Sequence, residues 1–275
     1  MLKTRVITAI VLLAVLLPIL FLLPPIYIGV FFLLAVSAAA WEWSRLLNPQ
    51  AGRAAWLYAV FCLAIILFLL AMQNVAWQFA LLLLAVIFWF FLAPFILAKG
   101  MSVSLQKLRP FYIVLGFILL PATWFALVYL RELGLVFLLS TMALVWVADI
   151  GAYFVGKAIG KRKLAAQISP GKSIEGAIGG LLLCYGYALL CVFYLPFEST
   201  IFGAWAIRFG WVPMFVMVTV LTAFSIFGDL FESQLKRMAG VKDSSHLLPG
   251  HGGVLDRVDA LIPTMPIAAL LAGLV

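Results

Sequence analysis

Long apolar stretches alternate with short polar connections along almost the whole chain. A helix that spans a bilayer needs about 20 consecutive, mostly apolar residues. The pattern therefore predicts nine transmembrane helices, at residues 6–23, 26–41, 54–72, 75–98, 111–130, 133–156, 176–196, 211–231 and 259–275. The first stretch has no small-residue cleavage site before Pro24 and Pro25, so we interpret it as a retained helix rather than a signal peptide. The last is short and is interrupted by Pro263 and Pro266.

The composition agrees with this reading. Of the 275 residues, 67% are hydrophobic and 10% are charged, and the mean hydropathy is +1.22. Soluble domains carry about 25% charged residues, so this chain has too little polar surface to cover a water-soluble globule. We predict an all-α integral membrane protein with about nine transmembrane helices and a cytoplasmic-facing polar site. Residues 1–275 form a single polytopic domain, in which 1–110 is mainly scaffold and 111–275 carries the site.

The distribution of basic residues predicts the orientation. Sixteen of the 18 lysines and arginines fall in alternate connections on one side, and only Arg131 and Arg208 fall on the other. Lys and Arg accumulate in cytoplasmic loops, so the N-terminus is expected in the cytoplasm and, with nine spans, the C-terminus outside. The net charge of +8 then reflects topology, and no nucleic-acid partner is expected. We interpret Trp41, Trp43 and Trp56 as interfacial anchors.

The acidic residues need a further explanation, because the orientation rule concerns only Lys and Arg. Eight of the ten acids, Glu42 among them, fall on the basic side, and five lie between residues 227 and 259 together with both histidines. Ionisable residues near membrane depth are costly and usually line a polar cavity. The alternative is an ordinary solvated helix end.

Helical spacing groups four of these polar residues. Asp229, Glu232, Ser233 and Lys236 are spaced i, i+3, i+4 and i+7, so a helix that continues from the eighth span places them on one face. The spacing favours a shared site over separate surface positions.

Beyond this helix the chain becomes rich in glycine. The backbone at Gly252 and Gly253 is expected to approach a phosphate closely and to donate N–H groups to it. Asp256 and Asp259 then stand at the start of the last span, where helix capping is the alternative reading. Two carboxylates with phosphate oxygens and water commonly hold Mg²⁺, so Asp229 and Asp256 are the expected metal pair.

A second polar element lies between the sixth and seventh spans. Asp149, Tyr153 and Lys157 are spaced by four residues and fall close to one helix face. The sequence Gly171-Lys172-Ser173 is not a Walker A loop, because Ala166 occupies the position where that loop needs its first glycine. We interpret it as a basic helix start that binds an anion at the amides before Ile174, the alternative being a positive-inside loop.

The segment Ser233–Asp259 resembles the signature of the phosphatidate cytidylyltransferases, also called CDP-diglyceride synthases. The matching positions are Ser233, Lys236, Arg237, Lys242, Asp243, Pro249, His251, Gly252, Gly253, Asp256, Arg257 and Asp259. The upstream segment 169–176 is similar to the Ser-Pro-x-Lys-x-x-Glu-Gly element of that family. The length and the predicted spans also match, so the resemblance covers essentially the whole chain.

The resemblance implies a reaction, its partners and its location. CTP and phosphatidic acid give CDP-diacylglycerol and pyrophosphate in a bacterial-type plasma or inner membrane, among membrane lipids. Mg²⁺ is required, held by Asp229 and Asp256, and a second cation is left open. A homodimer is also implied.

All three reacting groups are anionic, so we expect charge neutralisation to matter more than acid–base catalysis. The residues expected to be catalytic are Lys236, Arg237, Lys242, Asp243, His246, His251, Arg257 and Asp259. Those expected to bind substrate are Asp149, Lys157, Ser169, Lys172, Glu175, Glu232, Ser233, Gly252 and Gly253.

Two alternatives stay open at this point. Charge clusters do not discriminate acyl from isoprenoid chains, so a kinase or cytidylyltransferase acting on a polyprenyl or ether lipid phosphate fits the same residues. A transporter is a weaker alternative, because it would place its binding site near the bilayer midplane and show a repeat between its halves.

Overall fold

The computed structural model describes residue 14 and residues 18–102 and 104–275. In chain order, the helices named here are α1 (Pro25–Leu47), α2 (Arg53–Ala71), α3 (Val75–Ala98), α4 (Leu105–Leu133), α5 (Leu135–Ile159), α6 (Ile174–Tyr194), α7 (Ile201–Phe209), α8 (Trp211–Met238), α9 (Leu255–Val258) and α10 (Leu261–Ala272). Helix α3 contains a π-helical turn at Phe88–Leu92. Two short strands, β1 (Lys163–Ala165) and β2 (Ser169–Ser173), pair as an antiparallel hairpin between α5 and α6.

Seven helices in the described part of the chain, α1 to α6 and α8, are long and apolar enough to cross a membrane. The predicted all-α integral membrane fold is therefore confirmed, and α3 coincides with the predicted span 75–98. Most of the predicted first span, 6–23, lies outside the described residues.

The predicted ninth span, 259–275, differs from the structure. Its helix, α10, has 12 residues. At about 1.5 Å per residue it covers roughly 18 Å of a hydrocarbon core of about 30 Å. Residues 260–269 are buried, and α10 packs against α3, α4 and α8. It is a core helix of the bundle.

The prolines of α10 are tolerated because neighbouring groups replace what they remove. Pro266 has no N–H to donate to the carbonyl of Ile262, four residues earlier. The Thr123 hydroxyl of α4 donates to the Leu119 carbonyl at 2.8 Å and shares its proton with the Ile262 carbonyl oxygen at 3.4 Å. A weaker hydrogen bond across helices thus replaces part of the one lost within the helix.

The contact between α1 and α4 corrects one expectation. Trp43 is buried, and its indole N–H donates to the carbonyl of Tyr112 at 3.0 Å, so it ties two helices together and is not an interfacial anchor. Trp56 is exposed, and its ring packs 5.4 Å from that of Trp41. The hydropathy pattern at residues 41–43 did not distinguish a tryptophan facing the core from one facing the headgroups.

Helices α5 and α6 pack with their backbones in close approach. A Cβ atom at Gly180 would lie 2.7 Å from the carbonyl oxygen of Ala148, and one at Gly151 would lie 2.9 Å from the Cα of Gly180. Small residues at such contacts allow membrane helices to pack closely. This contact fixes the position of Asp149 on α5 relative to the hairpin that leads into α6.

Candidate active site

One face of α8 carries the polar residues that the spacing grouped. The Ser233 hydroxyl donates to Asp229 Oδ1 at 3.2 Å, and the Lys236 ammonium forms an ion pair with Glu232. The predicted common face is therefore confirmed.

A polar cavity of about 440 Å³ adjoins this face. Its polar lining comes from Asp149 and Tyr153 on α5, Ser169 and Lys172 on β2, and Asp229 on α8. Lys172 Nζ lies 2.5 Å from Asp229 Oδ2. The Asp149 side chain forms no hydrogen bond or ion pair with the described residues. One cation and two carboxylates thus meet in a space open to a ligand.

An apolar cavity of about 340 Å³ lies directly beside the polar one. The two share Leu164, Ala177 and Ile226, so they adjoin along these side chains and are described together as the depression. The remaining lining of the apolar part is contributed mainly by α3 and α8, including Leu97 and Phe227. A ligand with a charged end and a hydrocarbon end matches this arrangement.

A second charge cluster lies one turn further along α8. Lys236 contacts both Glu232 and Asp256, and its Nζ lies 2.5 Å from Asp256 Oδ1. Asp256 Oδ2 accepts hydrogen bonds from the Ser244 amide at 2.9 Å, the Ser244 hydroxyl at 2.8 Å and the Gly253 amide at 2.7 Å. Burial raises the pKa of Asp256, but the hydrogen bonds from Lys236 and Gly253 outweigh it and lower the pKa to about 2. Asp256 is therefore an ionised carboxylate with both oxygens engaged.

The glycine pair has a different role from the expected one. The Gly253 amide donates to Asp256, so it is not available to a phosphate. Gly252 adopts φ +79°, a conformation that favours glycine, and a Cβ there would lie 2.6 Å from Asp256 Oδ2. Neither glycine lines the polar cavity. Both serve the close packing of the loop around Asp256.

The hairpin also differs from the predicted helix start. Lys172 extends from β2, and the Ser173 hydroxyl caps α6 by accepting from the Gly176 amide at 3.1 Å. The Ile174 amide donates to the carbonyl of Arg162 at 2.9 Å, and the anion site expected at the amides before Ile174 stays a prediction. The side chain of Lys172, not the backbone, presents positive charge to the cavity.

Some predicted residues stabilise the hairpin and α5 instead of lining the cavity. Glu175 accepts hydrogen bonds from the amides of Lys161 and Arg162 at 3.0 and 3.1 Å and pairs with the Arg162 guanidinium at 2.9 Å. The Lys157 ammonium lies 5.8 Å from the centre of the Tyr153 ring. The Glu175 contacts join the two ends of the β1–β2 hairpin, whereas the Lys157 contact lies within α5.

Other predicted residues lie on the exposed side of the loop after α8. Arg257 donates to the carbonyl of His251 at 3.0 and 2.6 Å, and Arg237 donates to the carbonyl of Val241 at 3.3 Å. Asp259, by contrast, is partly buried directly after α9, and its Oδ1 accepts from the Ala260 amide at 2.8 Å. Side chains that are exposed and form no hydrogen bond or ion pair with the described residues are Lys242, Asp243 and His246.

Glu42 contacts the loop of the second charge cluster, although its position in an apolar run predicts no role for it. It is buried in α1, within the region interpreted as mainly scaffold, and it accepts hydrogen bonds from the amides of Val254 and Leu255. The available signal was a single acid inside an apolar run, which the orientation rule leaves unexplained.

A family model described as "Cytidylyltransferase family" matches residues 3–275. The chain belongs to this family. It is 41% identical to a phosphatidate cytidylyltransferase of Pseudomonas aeruginosa, over 98% of this chain and 97% of the relative. It is also 38% identical to one of Haemophilus influenzae, over 97% and 96% of the two chains, and 33% identical to one of Staphylococcus haemolyticus, over 98% of each. The resemblance noted in the sequence is confirmed.

The metal expected for a cytidylyltransferase of this kind can be tested against the side chains present. Among the described residues, no group of three or more His, Cys, Asp or Glu side chains is arranged to hold a metal ion. Asp229 borders the cavity, where substrate oxygens would complete a coordination shell. Asp256 already accepts four hydrogen bonds. Asp229 therefore fits an Mg²⁺ ligand if Lys172 leaves its Oδ2 for the substrate phosphate, and Asp256 fits only if Lys236 leaves its Oδ1.

Proposed function

We propose that this cytidylyltransferase transfers the cytidylyl group of CTP to phosphatidic acid. A phosphate oxygen of the lipid bonds to the α-phosphorus of CTP, the bond from that phosphorus to the β-phosphate oxygen breaks, and pyrophosphate leaves. The product is CDP-diacylglycerol. The observation that carries the proposal is the depression formed by two adjoining cavities, with Lys172 and Asp229 in its polar part and an apolar part beside them.

The depression matches the lipid substrate in both of its parts. The apolar part takes a segment of acyl chain, which keeps the phosphate at the boundary with the polar part. Lys172 is the one Lys or Arg among the described residues that line the two cavities, and its ion pair with Asp229 holds the ammonium in the polar part before substrate arrives. The lipid phosphate then takes over the interaction with Lys172 and reduces the repulsion between attacker and electrophile.

We propose that Mg²⁺ binds at Asp229 together with substrate oxygens and water. Bound there, the ion supplies charge neutralisation to the phosphates. Asp149 borders the same cavity and has no partner in the described part of the chain, so it accepts hydrogen bonds from water or substrate hydroxyls. Asp256 as a metal ligand, a second cation and the homodimer stay predictions.

The proposed orientation places this depression at the cytoplasmic face. Support comes from the distribution of Lys and Arg, of which 16 of 18 fall in the connections on that side. CTP is water-soluble and cytoplasmic, whereas the lipid stays in the bilayer. Residues at the ends of spans meet both substrates.

The test is a reaction with defined components. Purified protein in detergent micelles is incubated with CTP, dioleoyl phosphatidic acid and Mg²⁺, and pyrophosphate release and CDP-diacylglycerol are measured. Parallel reactions replace CTP by ATP, and the diacyl lipid by a polyprenyl phosphate. We expect turnover only with CTP and the diacyl lipid. Absence of pyrophosphate with folded protein would refute the proposal. Faster turnover on polyprenyl phosphate would identify that lipid class, and not phosphatidic acid, as the substrate.

A further inference from the structure

Glu42 is a fully buried carboxylate, with 0% of its surface exposed. Removing an ionised carboxylate from water is strongly unfavourable unless hydrogen bonds or a cation compensate for the lost hydration. No Lys or Arg in the described part of the chain pairs with it. Its compensation comes instead from the loop between α8 and α9, more than 200 residues further along the chain.

Four donors surround the two oxygens of Glu42. Oε1 accepts from the Ser245 hydroxyl at 2.5 Å and the Val254 amide at 3.0 Å. Oε2 accepts from the Leu255 amide at 2.6 Å and the Ser244 hydroxyl at 3.4 Å. Two donors stand at the beginning of the loop and two at its end. One side chain of α1 therefore closes the loop.

The same loop holds the second charge cluster. The Ser244 amide donates to Asp256 Oδ2, and the Ser244 hydroxyl shares its one proton between Asp256 Oδ2 at 2.8 Å and Glu42 Oε2 at 3.4 Å. Asp256 contacts Lys236 through Oδ1. Gly253 lies between the two acids, where a Cβ atom would overlap Ser244 Oγ and Glu42 Oε1. We therefore expect a shift of the Glu42 carboxylate to move Ser244, and with it Asp256.

We infer that Glu42 is a positioning residue: it closes the loop from Ser244 to Leu255 and thereby sets the positions of Asp256 and Lys236. The inference rests on the proposed cytidylyl transfer for its effect on rate. Glu42 does not line the polar cavity, so it acts through the loop and not on substrate.

The test compares Glu42→Gln with a matched control. Gln keeps the size of the side chain but replaces one acceptor with an NH₂ donor, which then faces a backbone N–H. The control is Trp124→Phe, which removes a different hydrogen bond to α1, from the Trp124 indole to the Gly29 carbonyl at 2.9 Å. Both variants are purified in micelles, and two quantities are measured: hydrogen–deuterium exchange of peptides covering residues 244–256, and kcat with KM for CTP.

In Glu42→Gln we expect exchange in that peptide to rise about tenfold or more, because the charge-assisted hydrogen bonds are lost. We expect kcat to fall about 100-fold, as a displaced catalytic group commonly produces. Trp124→Phe should change neither quantity. Unchanged exchange in folded Glu42→Gln would overturn the inference, as would faster exchange with an unchanged kcat or equal losses of kcat in both variants.

If Glu42→Gln does not fold, Ser245→Ala provides the test, because it deletes one donor and leaves three. A rise in exchange of the same peptide together with a lower kcat supports the inference, and wild-type values of either overturn it. If wild-type protein releases no pyrophosphate from CTP, the proposed function fails. The exchange comparison still decides whether Glu42 holds the loop.

Discussion

Replacing Lys236 with Met is expected to cause a large loss of stability. Lys236, Glu232 and Asp256 have side chains only 11%, 2% and 6% exposed, and the ammonium is the shared partner of both carboxylates. Removing one partner of a buried ion pair commonly costs about 3–5 kcal/mol, because it leaves uncompensated charge. At roughly 2–4 °C per kcal/mol, the apparent Tm should fall by about 6–20 °C.

The assay is thermal unfolding in detergent micelles, followed by intrinsic tryptophan fluorescence. The matched control is Arg237→Met, which removes an exposed cation from the next residue and should change the free energy of unfolding by less than about 0.5 kcal/mol. A second variant, Lys236→Met with Glu232→Gln, removes one of the two stranded carboxylates and should recover part of the lost Tm. A fall of less than about 2 °C in Lys236→Met would refute the reasoning.

The pH dependence of Tm provides a second, independent test of Lys236→Met. The folded-state pKa of Asp256 is about 2, below its ordinary value of 3.8. In the wild type this carboxylate therefore stabilises the fold fully above about pH 4, and the stabilisation is lost as pH falls towards 2. Without Lys236, ionised Asp256 stabilises the fold less, so less stability is lost on acidification. The difference in Tm between wild type and Lys236→Met should be largest at neutral pH and should narrow on acidification; a difference that widens would contradict this.

Two further predictions concern the cavity and the loop. Lys172→Ala should lower kcat/KM for the lipid by about 100-fold or more while leaving Tm almost unchanged, because the ion pair of Lys172 with Asp229 is partly exposed. Steady-state kinetics measures this effect, with Lys172→Arg as the conservative variant. Unchanged kinetics would show that Lys172 does not act in the site. Gly253→Ala should lower the free energy of unfolding by about 1–3 kcal/mol, because the added methyl group overlaps Ser244 Oγ. Chemical unfolding measures this free energy. Gly171→Ala is the matched control, because a Cβ atom at Gly171 meets open space.

The elements that depend on local composition could be predicted from the sequence. Span 75–98 coincides with α3, because hydropathy over about 20 residues depends only on those residues. The common face of Asp229, Ser233 and Lys236 follows from helical spacing alone, and the contacts on that face agree with it.

The contacts that complete the site are non-local, and the sequence did not reveal them. Glu42 and Leu255 meet across 213 positions, and nothing near residue 42 indicates which loop its carboxylate binds. The Gly253 amide was expected to bind phosphate, because glycine-rich backbone often does. The loop instead folds back so that the amide meets Asp256, three residues later. The buried side of Trp43 likewise depends on where α4 lies.

The short helix α10 has a consequence for biogenesis. Seven longer helices precede it in the described part of the chain, so each emerges from the ribosome earlier. Because α10 is too short to cross a bilayer alone and packs against α3, α4 and α8, we expect it to join the bundle after these helices have inserted. Asp256 directly precedes α10, so we expect its contacts with Lys236 and with the loop that Glu42 holds to form at the same stage.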